Sequence, residues 1–329
     1  HLGRGTCESM EQFIVVIEPG ARSVQTYKNV KRLAADLGIR KIKLTGGEPL
    51  VRKGCASLAK QIKAIPGIEK VTLTTNGILL AEQLDALLDA GIDAINISLD
   101  TLDPELFKKV TRRDELEKVF RGIEAALAHP GLSLKINSVP VIKEKENFIG
   151  IAGLAQKYPI HVRFIEMMPI GYGAAYTGGS NEELFRQIEE CYGNVSEAGT
   201  VRNREGEKYS ADIRDLSYTE EKQQSGKHGA GPAAYYRFPG LNMDVGFISA
   251  MHHKFCRSCN RIRLTSEGYL KLCLCYEKGV DLRAVLRDPG RKQTLQEVMK
   301  KAIFEKPAEH CFEQVSEMTE HNAMVRIGG

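Results

Sequence analysis

The chain lacks any run of about 18 consecutive apolar residues, so no membrane-spanning helix is expected. It lacks a strong charge of one sign: 46 basic against 42 acidic residues leave a net charge of +4. That is too little to draw nucleic acid by itself, although it suits a site for an anionic small molecule. No charged-then-apolar leader follows His1, so no secretory signal is expected. Internal repeats and long low-complexity segments are absent as well. Nor are the cysteines spread as a disulfide framework would spread them, since half of the 8 fall within residues 255–275. Clustering without a leader favours metal ligation in a reducing cytoplasm. Cys7, Cys55, Cys191 and Cys311 have no partner at ligand spacing and read as small buried hydrophobes.

What is present is a rhythm. Short β-branched runs at Phe13–Ile17, Lys41–Thr45, Lys70–Thr75, Ala94–Leu99, Leu134–Ile142 and His161–Ile165 alternate with amphipathic stretches. The clearest of these stretches are Tyr27–Leu37, Leu79–Ala90 and Leu116–Ala128, and Gly38, Gly67 and Gly91 stop helices. Strands separated by helices predict βαβ units and a parallel sheet, either open or barrel-like, with ligands at the carboxyl ends of the strands. After Ile165 the rhythm stops. The Gly-rich 171–179, a helix over Asn181–Cys191 and a polar loop over 199–232 precede short strands at Ala234–Phe238, Asp244–Ile248, Ile262–Thr265 and Tyr269–Leu274. Ser266-Glu267-Gly268 is the hairpin turn between the last two, and helices over Asp281–Leu286 and Gln293–Phe304 follow.

Cys256-x2-Cys259 with Cys273 and Cys275 has metal-ligand spacing. If 273 and 275 alternate on one strand face, all four thiolates close a ribbon-type zinc site; an iron–sulfur cluster is the other reading. His252 and His253 read as surface residues. Arg261 and Arg263 share one strand face, where guanidinium forks suit phosphate oxygens, though a solvated basic face is the plain alternative. Leu44-Thr-Gly-Gly-Glu-Pro-Leu50 follows a strand: two glycines let backbone approach a ligand, and Glu48 offers a carboxylate for an ammonium group. Thr74-Thr-Asn-Gly77 and Asn96-Ile-Ser-Leu-Asp100 end the next two strands with polar groups. Lys135, Arg163 and Glu166 put charges in or at the end of later strands, which is costly unless they face a cavity.

Together Gly46-Gly-Glu-Pro49, the Thr-Thr-Asn-Gly, the Asn-Ile-Ser-Leu-Asp-Thr and Arg163-Phe-Ile-Glu-Met-Met168 resemble the radical S-adenosylmethionine superfamily. The Phe-Cys-x2-Cys-Asn-Arg-x-Arg-Leu-Thr segment, its third cysteine and the Gly-Gly terminus resemble the GTP 3′,8-cyclase family of molybdenum cofactor (molybdopterin) biosynthesis, over about residues 26–329. The resemblance implies an α/β fold, an incomplete (β/α) TIM-like barrel with a C-terminal extension of short strands and helices carrying a Cys-rich cluster site. Its regions are 1–225, the barrel with an atypical 1–25, and 226–329, the auxiliary-cluster and substrate-binding region. It implies two 4Fe–4S clusters and S-adenosylmethionine. A 5′-deoxyadenosyl radical takes hydrogen from the ribose 3′ carbon of GTP, and the carbon radical attacks C8 of the guanine to give the (8S)-3′,8-cyclo-7,8-dihydroguanosine triphosphate. Cys256, Cys259 and Cys273 would hold the second cluster with one iron open; Lys43, Thr74, Lys135, Arg261, Ile262 and Arg263 would bind GTP. Gly47, Glu48, Ser98 and Met168 would bind S-adenosylmethionine, with Arg163 as a neighbour, and Gly328-Gly329 would reach the site as a tail. Lys43 stands where the family pattern has arginine, keeping the charge and losing the fork.

One family feature is missing. The Cys-x3-Cys-x2-Cys of the first cluster falls at or before His1, and neither Cys7 nor Arg4 has the right neighbours, so only the C-terminal cluster has ligands here. A late or frame-shifted start is favoured over a true variant, and the activity of the chain as it stands is in doubt. Expected partners are GTP, a reductant for the cluster and a downstream pathway enzyme, with a homodimer left open, no nucleic acid and no membrane; the expected location is cytoplasmic. The rival readings are another radical enzyme with an auxiliary cluster, and a zinc-bearing or single-cluster nucleotide-binding variant without catalysis.

Overall fold

The computed structural model describes residues 12–16, 36–141, 145–175, 180–195, 201–202, 208–209, 232–252, 255–256, 259–290 and 292–328. In chain order its elements are β1 Gln12–Val16, β2 Lys41–Thr45, α1 Cys55–Lys63, β3 Lys70–Thr75, α2 Leu80–Asp89 and β4 Ala94–Ser98. Then come α3 Pro104–Thr111, α4 Leu116–Leu127, β5 Ser133–Ser138, α5 Lys145–Lys157, β6 His161–Ile165 and α6 Asn181–Tyr192. The remainder is a short ribbon, β7 Val201–Arg202 with β8 Lys208–Tyr209, followed by β9 Ala234–Tyr236, β10 Val245–Ile248, β11 Arg261–Leu264, β12 Tyr269–Lys271, β13 Gly279–Asp281, α7 Leu282–Arg287, α8 Leu295–Phe304 and α9 Met324–Ile327.

The strands obey the period of two. Ile42 and Leu44, Val71 and Leu73, Ile95 and Ile97, Leu134 and Ile136, and Val162 and Phe164 are all buried. They join one core with Leu58 and Ile62 of α1, Leu84 and Leu87 of α2, Val119 and Ile123 of α4 and Ile151 of α5. Burying such side chains is worth roughly 1.5–3 kcal/mol each, which commits this face of the sheet to the helices. The alternate positions therefore face the other way, and they are polar: Lys43, Thr72, Thr74, Asn96, Lys135, Asn137 and Arg163.

Eight strands run parallel in the order β11-β1-β2-β3-β4-β5-β6-β10. Antiparallel β12 and β13 continue one edge and β9 the other, so the parallel edges are covered rather than joined to each other. A flat sheet would hold β2 and β6 about 19 Å apart at about 4.8 Å per strand. Yet the Lys43 ammonium on β2 feels the charges of Arg163 on β6 and Lys135 on β5. The sheet is curled into an incomplete barrel with a polar lumen, as the resemblance implied.

Two expectations are revised. The short strands Val245–Ile248 and Arg261–Leu264 are not a separate extension; they join the parallel sheet beside β6 and β1. The change of rhythm hid this because no helix separates them in the described chain. The expected run Tyr269–Leu274 ends at Lys271, so Cys273 and Cys275 do not alternate on a strand. The stretch Tyr27–Leu37, except its last two residues, most of 199–232, the expected boundary at 225, and Cys7, His253 and Gly329 lie outside the described residues.

Candidate functional site

The carboxyl ends of β2, β3 and β4 are tied to one another. Glu48 accepts from the Thr75 hydroxyl (2.7 Å), from Asn76 N–H (2.6 Å) and from Leu50 N–H (3.0 Å), capping the turn Pro49–Val51. Burial pushes its carboxyl up, and those three hydrogen bonds pull it back. The carboxylate expected to grip a ligand ammonium is thus already engaged with protein donors. Gly47 beside it is exposed, with nothing within 4 Å of where a Cβ would stand. Ser98 is exposed at the end of β4. Asp100 accepts from Val139 N–H (2.8 Å) and, buried there, rises to about 6. At the end of β6, Glu166 accepts from Met251 N–H (2.7 Å), His252 N–H (3.3 Å) and the His252 ring, tethering the segment that leads to Cys256.

Inside the lumen, Arg163 donates to Asn137 Oδ1 (2.9 Å) and Asn96 Oδ1, while Asn96 Nδ2 reaches Leu73 O (3.3 Å) and Thr74 Oγ1 (3.5 Å). Lys135 Nζ lies 3.3 Å from the Tyr235 hydroxyl. Burial and then the charges of Arg163, Arg261, Lys135 and Arg263 hold Lys43 well below the usual lysine range. Burial, Arg163 and Lys70 bring Lys135 down to about 7, and burial and Arg261 bring Arg263 down to about 10. So many cations in one lumen oppose their own charging, and an anion there relieves them. Two buried polar atoms, Arg263 Nε and Thr72 Oγ1, make no hydrogen bond to the described protein. They flank one register row, Arg263–Ile14–Lys43–Thr72. Buried polar groups are nearly always paired, and water or a ligand in the lumen can pair these two. Ile262 is different: its side chain is fully buried on the helix face, and only its backbone is available to a ligand.

At the β11 edge the three cysteines sense each other. Burial pushes Cys256 up to about 11, offset by the His310 N–H and reinforced by Cys273 and Cys259. Burial also pushes Cys259 up, but Lys306, Arg261 and Arg263 outweigh it and bring it down to about 7. Burial raises Cys273, opposed by the Cys275 backbone N–H. Lys306 further donates to Cys259 O (2.6 Å). Three soft thiols beside three cations, with N–H groups aimed at sulfur, suit a thiolate-bound cluster. The four-thiolate zinc arrangement is not formed here, because the fourth thiol, Cys275, is engaged elsewhere. Cys275 turns away to meet Cys311, Sγ to Sγ 2.9 Å, inside a second apolar cluster with Ile170, Phe312 and Ile327 and, partly buried, Met168 and Cys273. Cys55 is buried as expected; Cys191 is exposed, contrary to expectation. Gly328 packs against Ile14, Val16 and Thr45, placing the tail on the lumen side of β1 and β2.

The chain is similar to known proteins over most of its length. A family model described as Radical SAM superfamily matches residues 16–151, and one described as Molybdenum Cofactor Synthesis C matches residues 192–312. A GTP 3′,8-cyclase of Clostridium perfringens (strain SM101 / Type A) is 39% identical over 302 residues, 91% of this chain and 85% of that one. A GTP 3′,8-cyclase of Heliobacterium modesticaldum is 39% identical over 312 residues, 94% and 88% of the two chains. The chain belongs to the GTP 3′,8-cyclase family. The fold comparison gives Streptococcus suis SuiB bound to S-adenosylmethionine, with a TM-score of 0.55 at 16% identity over 96% of this chain and 76% of SuiB. At that identity the likeness concerns the fold alone. Membership makes this a radical enzyme family member that uses a 4Fe–4S cluster and S-adenosylmethionine. Among the described residues no helix is long and apolar enough to cross a membrane.

Sequence reasoning missed Asn137, Tyr235 and Lys306. Asn137 carried a signal, a polar group two residues beyond Lys135 and so on the same strand face. Tyr235 and Lys306 come from distant segments, and no local pattern marks them.

Proposed function

We propose that this chain converts GTP to the 3′,8-cyclised dihydroguanosine triphosphate, the first step toward molybdopterin. The observation that carries the reading is the convergence of Lys43, Lys135, Arg163, Arg261 and Arg263 in one lumen beside three clustered thiols. On this reading Cys256, Cys259 and Cys273 hold a 4Fe–4S cluster. Lys43, Thr74, Lys135, Arg261, Arg263 and the Ile262 backbone hold the nucleotide. Gly47, Ser98, Met168 and the Glu48 turn receive S-adenosylmethionine. When bound, the cluster and the sulfonium cofactor supply the electron, the radical and an open iron; the chain's residues bind, orient and exclude water. On the same reading region 1–225 receives S-adenosylmethionine and shares the nucleotide contacts, while 226–329 brings the cluster thiols and the Arg261–Arg263 contacts. A reductant, a downstream enzyme that takes the cyclised product and a second copy of the chain belong to the same proposal. The assay is conversion of GTP to the cyclised product by the chain joined to a segment that supplies the Cys-x3-Cys-x2-Cys motif, with reductant and S-adenosylmethionine. Absence of product there overturns the proposal.

Binding is testable without turnover. Lys135 titrates at about 7 in the folded chain, below its ordinary range near 10.4, so the unfolded chain holds more protons between those values. This lysine's penalty on stability is therefore relieved as pH rises from about 7. Nucleotide affinity moves the other way, because the triphosphate needs the ammonium. Titrating GTP at about pH 8 in two buffers of different ionisation enthalpy is expected to show proton uptake, since a terminal phosphate with a pKa of about 6 is already ionised. Lys135→Met should reduce that uptake, with the remainder drawn by Lys43. Equal uptake in both proteins rules the lysine out as a nucleotide contact.

Cys275→Ser separates the cluster from the zinc reading. It should leave about four irons per chain and the brown colour intact, whereas a four-thiolate zinc site would weaken.

A further inference from the structure

Tyr235 stands on β9, outside the eight parallel strands, yet its hydroxyl reaches the lumen. The register explains how. Asn137 on β5, Arg163 on β6, Gly246 on β10 and Tyr235 on β9 are paired in one continuous row across four strands. At Gly246 there is no side chain, and the Tyr235 ring leans across the gap. A Cβ built at Gly246 would stand 2.8 Å from Tyr235 Cε1, a distance real Cβ atoms essentially never show, and 3.0 Å from Arg163 Cγ, which is tight. The ring ends against Lys135, whose Nζ is 3.3 Å from the phenol oxygen and 5.3 Å from the ring centre. His161 meets the ring edge-on at 5.9 Å. A hydrogen bond from Arg163 reaches the same phenol. One oxygen with two lone pairs thus serves two cations that otherwise repel each other.

We propose that Tyr235 is a positioning residue for the nucleotide, holding Lys135 in the lumen from a strand beyond the barrel, with Gly246 left bare to admit its ring. The inference rests on the reading of Lys135 as a nucleotide contact. Two lysine donors of the lumen differ in this respect. Among the described residues Lys43 has other cations around it, whereas Lys135 has an aromatic face and a hydroxyl to fix its flexible stem. Fixing a rotamer-rich lysine before binding lowers the entropy lost on binding, which raises affinity without adding a contact to the ligand.

The test is a binding cycle on the full chain, with GTP as the probe and calorimetric or dialysis readout, beside thermal melting. Tyr235→Phe keeps the ring and removes the hydroxyl; Lys135→Met removes the ammonium; the third protein carries both. Tyr235→Phe should weaken GTP about fivefold with the melting temperature nearly unchanged, and Lys135→Met should weaken it more. The double variant should be no weaker than Lys135→Met, since the tyrosine acts through the lysine. Gly246→Ala, which evicts the ring by steric contact, should reproduce the Tyr235→Phe loss. If the two losses multiply in the double variant, or if Tyr235→Phe lowers the melting temperature without touching affinity, Tyr235 is not a positioning residue. If Lys135→Met itself leaves affinity unchanged, the lysine reading fails and takes this inference with it.

Discussion

Cys259→Ser should leave a folded chain that holds almost no iron. Of the three clustered thiols it is the one closest to ionised at neutral pH, near 7, because Lys306, Arg261 and Arg263 outweigh the penalty of its burial. Thiolate, not thiol, binds iron, so this cysteine is the natural first ligand to a forming cluster. Serine's alkoxide is not accessible at that pH, and a hard oxygen is a poor substitute for soft sulfur. Changes to groups that merely support a ligand cost about 10–100-fold in metal affinity, and removing the ligand itself should exceed that. The measurement is iron and sulfide per chain after anaerobic reconstitution, read beside Cys275→Ser. Loss in the first and retention in the second are expected. Iron retained in Cys259→Ser, or lost in Cys275→Ser, means the ligand set is wrong. Lys306→Met supplies a graded check: without that ammonium the thiol should titrate higher, and reconstitution should need higher pH.

The barrel's inner half was legible in the sequence for a simple reason. In Lys41–Thr45 and His161–Ile165 a cation, Lys43 or Arg163, stands between two apolar residues, and a strand with one face in a core and the other in a polar cavity tolerates that. Lys135 inside β5 carried the same message. What stayed hidden depends on distance along the chain. β10 and β11 are four residues each and lack the strand–helix alternation, so their place at the edges of the parallel sheet follows only from pairing with β6 and β1. The partner of Cys275 is Cys311, 36 residues on, which no ligand-spacing rule anticipates. α3 was missed although Asp103 caps it and Pro104 opens it, a start signal outweighed by the polar run that follows. For the site, motif residues could be named one by one, but their electrostatic coupling could not. That Arg163 shares a lumen with Lys43 requires the sheet to curl.

The same segment that carries the cysteines contains the largest stability effect expected of a single substitution. Lys271, at the end of β12, and Glu320, in the C-terminal stretch, form an ion pair with side chains 3% and 0% exposed. Lys271 also donates to Tyr276 O (3.0 Å), and Glu320 accepts from Asn322 N–H (2.7 Å). One buried clasp thereby joins the β11–β12 hairpin, the turn holding Cys273 and Cys275, and the chain that runs on to Gly328 in the lumen. Breaking such a pair from one side strands a buried charge and costs about 3–5 kcal/mol, whereas replacing both partners with apolar residues of similar size is often neutral. Glu320→Leu should therefore lower the unfolding free energy by about that amount, measured by denaturant titration, and Lys271→Met should do likewise. The chain with both changes should recover most of the loss. Recovery in stability alone would leave open what the clasp does for the site, so the second readout is nucleotide binding by the double variant. If the clasp's role is only to hold the fold, GTP affinity returns with stability. If its hydrogen bonds to Tyr276 and Asn322 also set the cysteine turn and the tail, stability returns and affinity stays low. We expect the second result, because methionine and leucine can fill the space but offer nothing to Tyr276 O or Asn322 N–H. A single variant as stable as the parent overturns the clasp altogether.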